Sequence, residues 1–165
     1  MCSGVDGSVI WEITSGVEKI NRTLIADVDR DGTAEIFATG GDRLRRIEHD
    51  GTITGDVFVP GEDGSFYQSR GCIADFNQDG KPEIFLMNHL FDTDNLSILS
   101  SLSFTEFNQY KDYGLGIPVD VLPQSAACPD CDGLELVLGP FLYAINNTTF
   151  AFTKVHDVMV EPGLY

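Results

Sequence analysis

A thirteen-residue pattern occurs twice in this chain, 48 residues apart. Residues 25–37 read IADVDRDGTAEIF and residues 73–85 read IADFNQDGKPEIF. A worn third copy, CPDCDGLELVLG, follows at 128–139, with Gly133 standing 53 residues after Gly80. Self-similarity at a fixed period of about 40–50 residues marks a repeat architecture, in which each copy is one supersecondary unit.

The repeated stretch is also a set of oxygen donors. With Asp27 as position 1, the first copy carries carboxylates at positions 1, 3, 5 and 9: Asp27, Asp29, Asp31 and Glu35. The second copy places Asp75, Asn77, Asp79 and Glu83 there. Gly32 and Gly80 occupy position 6, where a loop folding round an ion turns sharply and a Cβ would obstruct it. At position 7, Thr33 and Lys81 are expected to offer backbone carbonyls. Hard oxygen donors in this number suit calcium, which takes about six to eight oxygens at roughly 2.3–2.6 Å. Without a cation, carboxylates so close together repel one another. Two sites are therefore expected.

An EF-hand shares the first half of this spacing but needs a bidentate Glu at position 12. Ala38 and Leu86 stand there instead, inside apolar runs rich in β-forming residues. The loops are expected to join strand to strand. In the third copy, alignment on Gly133 puts Cys128 at position 1 and Glu135 one place short, at position 8. Asp130 and Asp132 then mark a degenerate site, and a metal-free turn is expected.

The strand grammar between the loops is regular. Repeats are expected at 21–58, 69–107 and 116–153. Strands in the first fall near 22–26, 35–39, 43–48 and 52–58, with His49-Asp50-Gly51-Thr52 as a hairpin turn. The second repeat shows strands at 83–88, 96–100 and 103–107. The third shows them at 134–138, 141–145 and 149–153. Residues 8–13 read as the last strand of a preceding repeat, because Asp6-Gly7-Ser8-Val9-Ile10 resembles Asp50-Gly51-Thr52-Ile53. Residues 155–160 read as the opening strand of another. No amphipathic helix is expected.

The 165 residues are 42% hydrophobic and include 26 acidic against 10 basic side chains, for a net charge of −16. Such a surface disfavours nucleic acid and anionic membranes, which reward a basic face. Eight of the negative charges are ascribed to the cages and the nearby Asp42. The basic cluster Arg43, Arg45 and Arg46 is expected on the solvent side of a strand. No stretch reaches the ~18–20 apolar residues of a membrane-spanning helix, and the N-terminus lacks the basic and apolar regions of a signal peptide. An exported protein would carry its signal elsewhere, and the chain is expected to be a piece of a longer one.

Four antiparallel strands per repeat, joined by short turns, make the blade of a β-propeller. The acidic loops, the hairpins and the DGSVIW and DGTI turns resemble the FG-GAP/VCBS repeat family, whose calcium-loop blades also build integrin α-subunit heads. The resemblance covers about residues 5–153. It implies an all-β fold of about three four-stranded blades within a larger propeller. It also implies calcium between the first two strands of a blade, held by Asp27, Asp29, Asp31 and Glu35 and by Asp75, Asn77, Asp79 and Glu83. The implied setting is secreted or cell-surface, with calcium structural and a protein or glycan partner in adhesion.

Cys128-x-x-Cys131 leaves a local disulfide, free thiols and half a metal site all open; Cys72 reads as a small buried hydrophobe. No phosphate loop, dinucleotide fingerprint, Gly-x-Ser-x-Gly or His-Glu-x-x-His occurs, so no enzyme is expected. The alternative is a fragment of a calcium-dependent polysaccharide lyase resembling rhamnogalacturonan lyases. A face of Lys, Arg and aromatics would favour it, and only Arg43–Arg46 hints at one.

Overall fold

The computed structural model describes residues 1–14, 22–59, 71–103 and 116–157. These residues form twelve β-strands and no helix, arranged as three four-stranded antiparallel sheets. The chain divides into two compact units, Met1–Tyr67 and Gln68–Tyr165.

In the first unit, β1 (Arg22–Ala26), β2 (Glu35–Gly40), β3 (Arg43–Ile47) and β4 (Ile53–Phe58) run as a meander. Ala26 pairs with Glu35, so the first acidic loop is the β1–β2 connection. At the other end of β2, Gly41 and Asp42 have φ of 56° and 62°. That left-handed pair is what a two-residue type I′ hairpin turn demands. Asp42 therefore lies a strand's length from the acidic loop, and its charge does not belong with the cage.

Of the basic cluster, Arg43 stays partly exposed, but Arg45 and Arg46 are not solvent-facing as expected. Arg45 and Arg46 are only 4% and 9% exposed. Arg46 donates to Asp29 at 2.9 Å and pairs with Glu48 at 3.1 Å, while Arg43 and Arg45 both approach Asp56, at 2.6 and 3.4 Å. A buried cation without a carboxylate would be costly, and the acidic residues on the neighbouring loop and on β4 supply one.

Residues 8–13 are not a strand. Met1–Ser3 and Ser8–Ile10 close a short hairpin through Ser3 N–H to Ser8 C=O at 2.8 Å and Ile10 N–H to Met1 C=O at 3.0 Å. Its end is fastened by Trp11, whose indole N–H donates to the His49 carbonyl at 2.7 Å. The ring lies over Gly51, where a Cβ would come within 2.9 Å of it.

The second unit contains two sheets. One is β5 (Cys72–Ala74), β6 (Glu83–Leu86), β7 (His89–Asp92) and β8 (Ile98–Ser101). The other is β9 (Gly116–Val119), β10 (Glu135–Leu138), β11 (Phe141–Ile145) and β12 (Phe152–Asp157). Both are meanders. The strand expected over 83–88 breaks at Met87-Asn88, a turn with Met87 at φ 58°. Asn88 secures it by exchanging backbone and side-chain hydrogen bonds with Leu102 at 2.7 and 2.8 Å. His89–Asp92 is thus the third strand, and the segment expected at 96–100 supplies the fourth. Ser103 is not in a strand, and 104–107 lie outside the described residues. Residues 155–157 complete β12 rather than opening a further repeat, and 158–160 lie outside the described residues.

The two sheets share one apolar core, including Phe76, Phe85, Leu90, Leu136, Tyr143 and Ile145. Phe152 meets Phe85 and Tyr143 edge-on, at 6.0 and 6.4 Å between ring centroids. Gly116 permits the approach, since a Cβ there would sit 2.8 Å from the Phe85 ring. Leu134 N–H donates to the Phe76 carbonyl at 2.9 Å, tying the end of the third loop to the second. Cys72 packs against this core, and burial pushes its thiol up to about 12, as befits a hydrophobe rather than a nucleophile.

Candidate metal centre

The first two acidic loops share one frame of hydrogen bonds. In each, the position-9 carboxylate reaches back under the loop to the N–H of position 2: Glu35 to Val28 and Glu83 to Phe76, both at 2.9 Å. The position-1 carboxylate accepts from the position-6 glycine, Asp27 from Gly32 at 3.1 Å and Asp75 from Gly80 at 2.8 Å. The position-5 carboxylate accepts from the position-7 N–H, Asp31 from Thr33 at 2.7 Å and Asp79 from Lys81 at 2.8 Å. Position 3 accepts from position 5 in both, Asp29 from Asp31 and Asn77 from Asp79, at 3.2 Å. Gly32 and Gly80 have φ of 90° and 96°, as the turn at position 6 requires. Position 4 is left-handed too, with Arg30 at φ 63° and Gln78 at 58°, a feature that neither side chain signals in the sequence.

In the first loop, Asp27, Asp29 and Glu35 bring one oxygen each within 4.8 Å of one another, a set able to hold a metal ion. Glu35 is fully buried, and its Oε1 has no hydrogen-bond partner. A buried carboxylate oxygen without a donor is costly, and a cation supplies what it lacks. The donor set therefore fits a hard divalent ion. Asp31 is turned to Thr33, accepting from both its N–H and its hydroxyl, and these bonds hold the carboxyl below its ordinary range. Asp29 is balanced in part by Arg46.

The second loop lacks that balance. Leu90 pairs with Phe85 in β7 where Arg46 pairs with Phe37 in β3. Burial pushes the Glu83 carboxyl up to about 7, and the charges of Asp79, Asp75 and Asp92 add to the effect. Asp79 is held low, chiefly by the Lys81 N–H. The Lys81 ammonium turns away from the loop to Asp94 at 2.7 Å, which raises its own pKa.

The third loop is set differently from the sequence alignment on Gly133. Glu135 pairs with Val119 as Glu35 pairs with Ala26 and Glu83 with Ala74. Its carboxylate reaches back to the N–H groups of Val121 and Leu122, at 2.9 and 3.3 Å. Asp120 is thus the counterpart of Asp27 and Asp75, and Glu135 occupies the position-9 place. The Val119-Asp120-Val121 stretch, echoing Ala26-Asp27-Val28, carried that signal. Fourteen residues separate Asp120 from Glu135 against seven in the other loops, an insertion of seven. The insertion holds a Cys128–Cys131 disulfide, packed against Ala144 and Leu122. Asp130 accepts from the side chains of Asn146 at 2.7 Å and Thr153 at 3.2 Å. Asp132 joins no such group of metal-ligating side chains among the described residues. Gly133 lacks the left-handed φ of Gly32 and Gly80 and is kept bare by close approach instead: a Cβ there would strike the Phe76 carbonyl at 2.3 Å.

No protein-family model matches the chain, and no curated protein is similar to it in sequence. Among solved structures, it is similar in fold to the V. cholerae biofilm matrix protein Bap1, with a TM-score of 0.65 at 24% sequence identity. The likeness covers 92% of this chain and 23% of Bap1, so the chain spans about a quarter of that protein's length.

Proposed function

We propose that the chain is a run of calcium-stiffened, FG-GAP/VCBS-like blades from a β-propeller, serving adhesion or protein and glycan binding in a secreted or cell-surface protein. The observation that carries this reading is the common frame of the two loops. Two different sequences place oxygen donors at positions 1, 3, 5 and 9 over the same left-handed turns, with a buried position-9 carboxylate beneath. The ion would be held by Asp27, Asp29, Asp31, Glu35 and the Thr33 carbonyl in one loop. Asp75, Asn77, Asp79, Glu83 and the Lys81 carbonyl would hold it in the other. Bound there, calcium neutralises the clustered carboxylates and ties the first two strands of a blade together; the chain's own residues do the rest.

Three further observations support it. The middle strands are buried at consecutive positions, β6 throughout and β3 at four of five, as in sheets covered on both faces. The Cys128–Cys131 disulfide suits an oxidising, extracellular setting. The fold shared with a biofilm matrix protein is in keeping with that setting. The lyase alternative loses its one hint, because Arg45 and Arg46 are buried in ion pairs.

Calorimetric titration with calcium and with magnesium, joined to melts in calcium and in EDTA, tests the reading. Two calcium sites and a calcium-specific rise in melting temperature, reduced by Asp31→Ala and by Asp79→Ala, are expected. No heat of binding and an unchanged melt in EDTA would reduce both loops to acidic turns.

A further inference from the structure

Asn77, Asp79 and Glu83 of the second loop do more than face one another. They also line an open cleft of about 470 Å³, shared with Asn147, Thr148 and Phe150 of the β11–β12 turn. That volume falls in the range of roughly 300–1,000 Å³ typical of small-molecule sites. Two groups in the lining are incompletely engaged. Glu83 is 4% exposed; one of its oxygens accepts from Phe76, and no hydrogen bond engages the other among the described residues. The Asn147 side-chain oxygen has no hydrogen-bond partner either, but it is closed off from solvent beside Gly133, so only the rest of that side chain is open to a ligand.

We infer that this cleft binds a neutral saccharide unit of a glycan. The lining alternates carboxylates, carboxamides and a threonine hydroxyl, which between them donate to and accept from adjacent sugar hydroxyls. Phe150 and Leu99 supply apolar surface for the C–H face of a ring. Charge excludes the other candidates. The one cation of the lining, Lys81, is already held by Asp94, which leaves no free cation for an acidic sugar or a phosphate. A basic peptide meets Lys81 at the rim and finds Asp92 engaged with the N–H groups of Asp94 and Asn95. The inference rests on the calcium reading for its ion dependence alone. The loop offers five donor groups where calcium takes about six to eight oxygens, and four of the residues that supply them, Asn77, Asp79, Lys81 and Glu83, border the cleft, where sugar hydroxyls can join them.

The test is an array of neutral, amino and acidic oligosaccharides, probed with the full chain in calcium and in EDTA, followed by titration with the best neutral glycan. Thr148→Trp fills the cleft from an exposed position, and Asn147→Ala removes a carboxamide from its lining. Binding of a neutral glycan is expected, weaker in EDTA and about tenfold weaker in either variant, with calcium heats and melting temperatures kept. No neutral glycan bound in calcium, a preference for acidic glycans, capture of an oligolysine peptide instead, or affinity unchanged in Thr148→Trp would each overturn the inference. Glycan binding that survives EDTA, in a protein giving no calcium heat, would overturn the ion reading and leave the cleft standing.

Discussion

Glu83 shows how a single carboxyl couples the loop to pH. Burial, with the charges of Asp79, Asp75 and Asp92, raises it from an ordinary value of 4.5 to about 7. A raised carboxyl stays protonated in the fold after it has ionised in the unfolded chain. Its contribution to stability is therefore present below about pH 4.5 and is lost as pH rises towards 7. Calcium favours the ionised form, so the gain in melting temperature on adding calcium is expected to be larger at pH 8 than at pH 5. Glu83→Gln should flatten the calcium-free melt against pH across that window. Arg46 makes the opposite case in the first loop, since its guanidinium already offsets Asp29. Arg46→Leu, copying Leu90 of the second sheet, should widen the gap between the melts in calcium and in EDTA. A gap unchanged from the parent chain would mean that Arg46 does not share the charge of that loop.

Among the elements, the three β-loop-β connections solve one problem in two ways. The first two loops turn in eight residues over a position-9 glutamate. The third keeps the glutamate, Glu135, and replaces the short cage with a stapled insertion. Closing a loop of about four residues contributes roughly 2 kcal/mol by the chain-entropy estimate. Cys128→Ser with Cys131→Ser, or reduction, should therefore lower stability by about that amount, read from denaturant unfolding, and leave calcium stoichiometry unchanged. Loss of a calcium site on reduction would show that the third loop holds an ion as well. Gly116 sets a separate limit in the same unit. Gly116→Ala forces a Cβ to 2.8 Å from Phe85 and 3.2 Å from Leu136, and overpacking of this kind costs about 1–3 kcal/mol. A chevron or equilibrium melt indistinguishable from the parent would mean the sheets shift to absorb it.

For the whole molecule, the two compact units carry one short acidic loop each. Ligand binding to the folded state alone stabilises by about 2.7 kcal/mol at a hundredfold excess over Kd. Calcium is thus expected to protect both units against hydrogen exchange. Asp31→Ala should remove that protection from residues 22–59, and Asp79→Ala from the sheet that begins at Cys72. Protection lost everywhere in either variant would mean that the loops act through one cooperative transition rather than locally.

What the sequence determined by itself was periodic or local. The period of 48 residues, the strand ends at Ala26 and Glu35, the glycines of position 6 and the alternating donors of two loops all follow from residue types at fixed spacing, because strand pairing and a sharp turn are short-range demands. Residues whose role depends on a distant partner were not legible. Met87-Asn88 looks like strand until Leu102 comes to hold it as a turn. Arg45 and Arg46 look solvated until Asp56 and Asp29 come to meet them. Gly133 looks like the third turn glycine until the Phe76 carbonyl arrives where its Cβ would be. Glu135 is assigned to its loop by pairing across β9, with seven inserted residues and a disulfide between. Register across a sheet and the burial of charge are decided by contacts between residues far apart in the chain, so only the tertiary structure decided them.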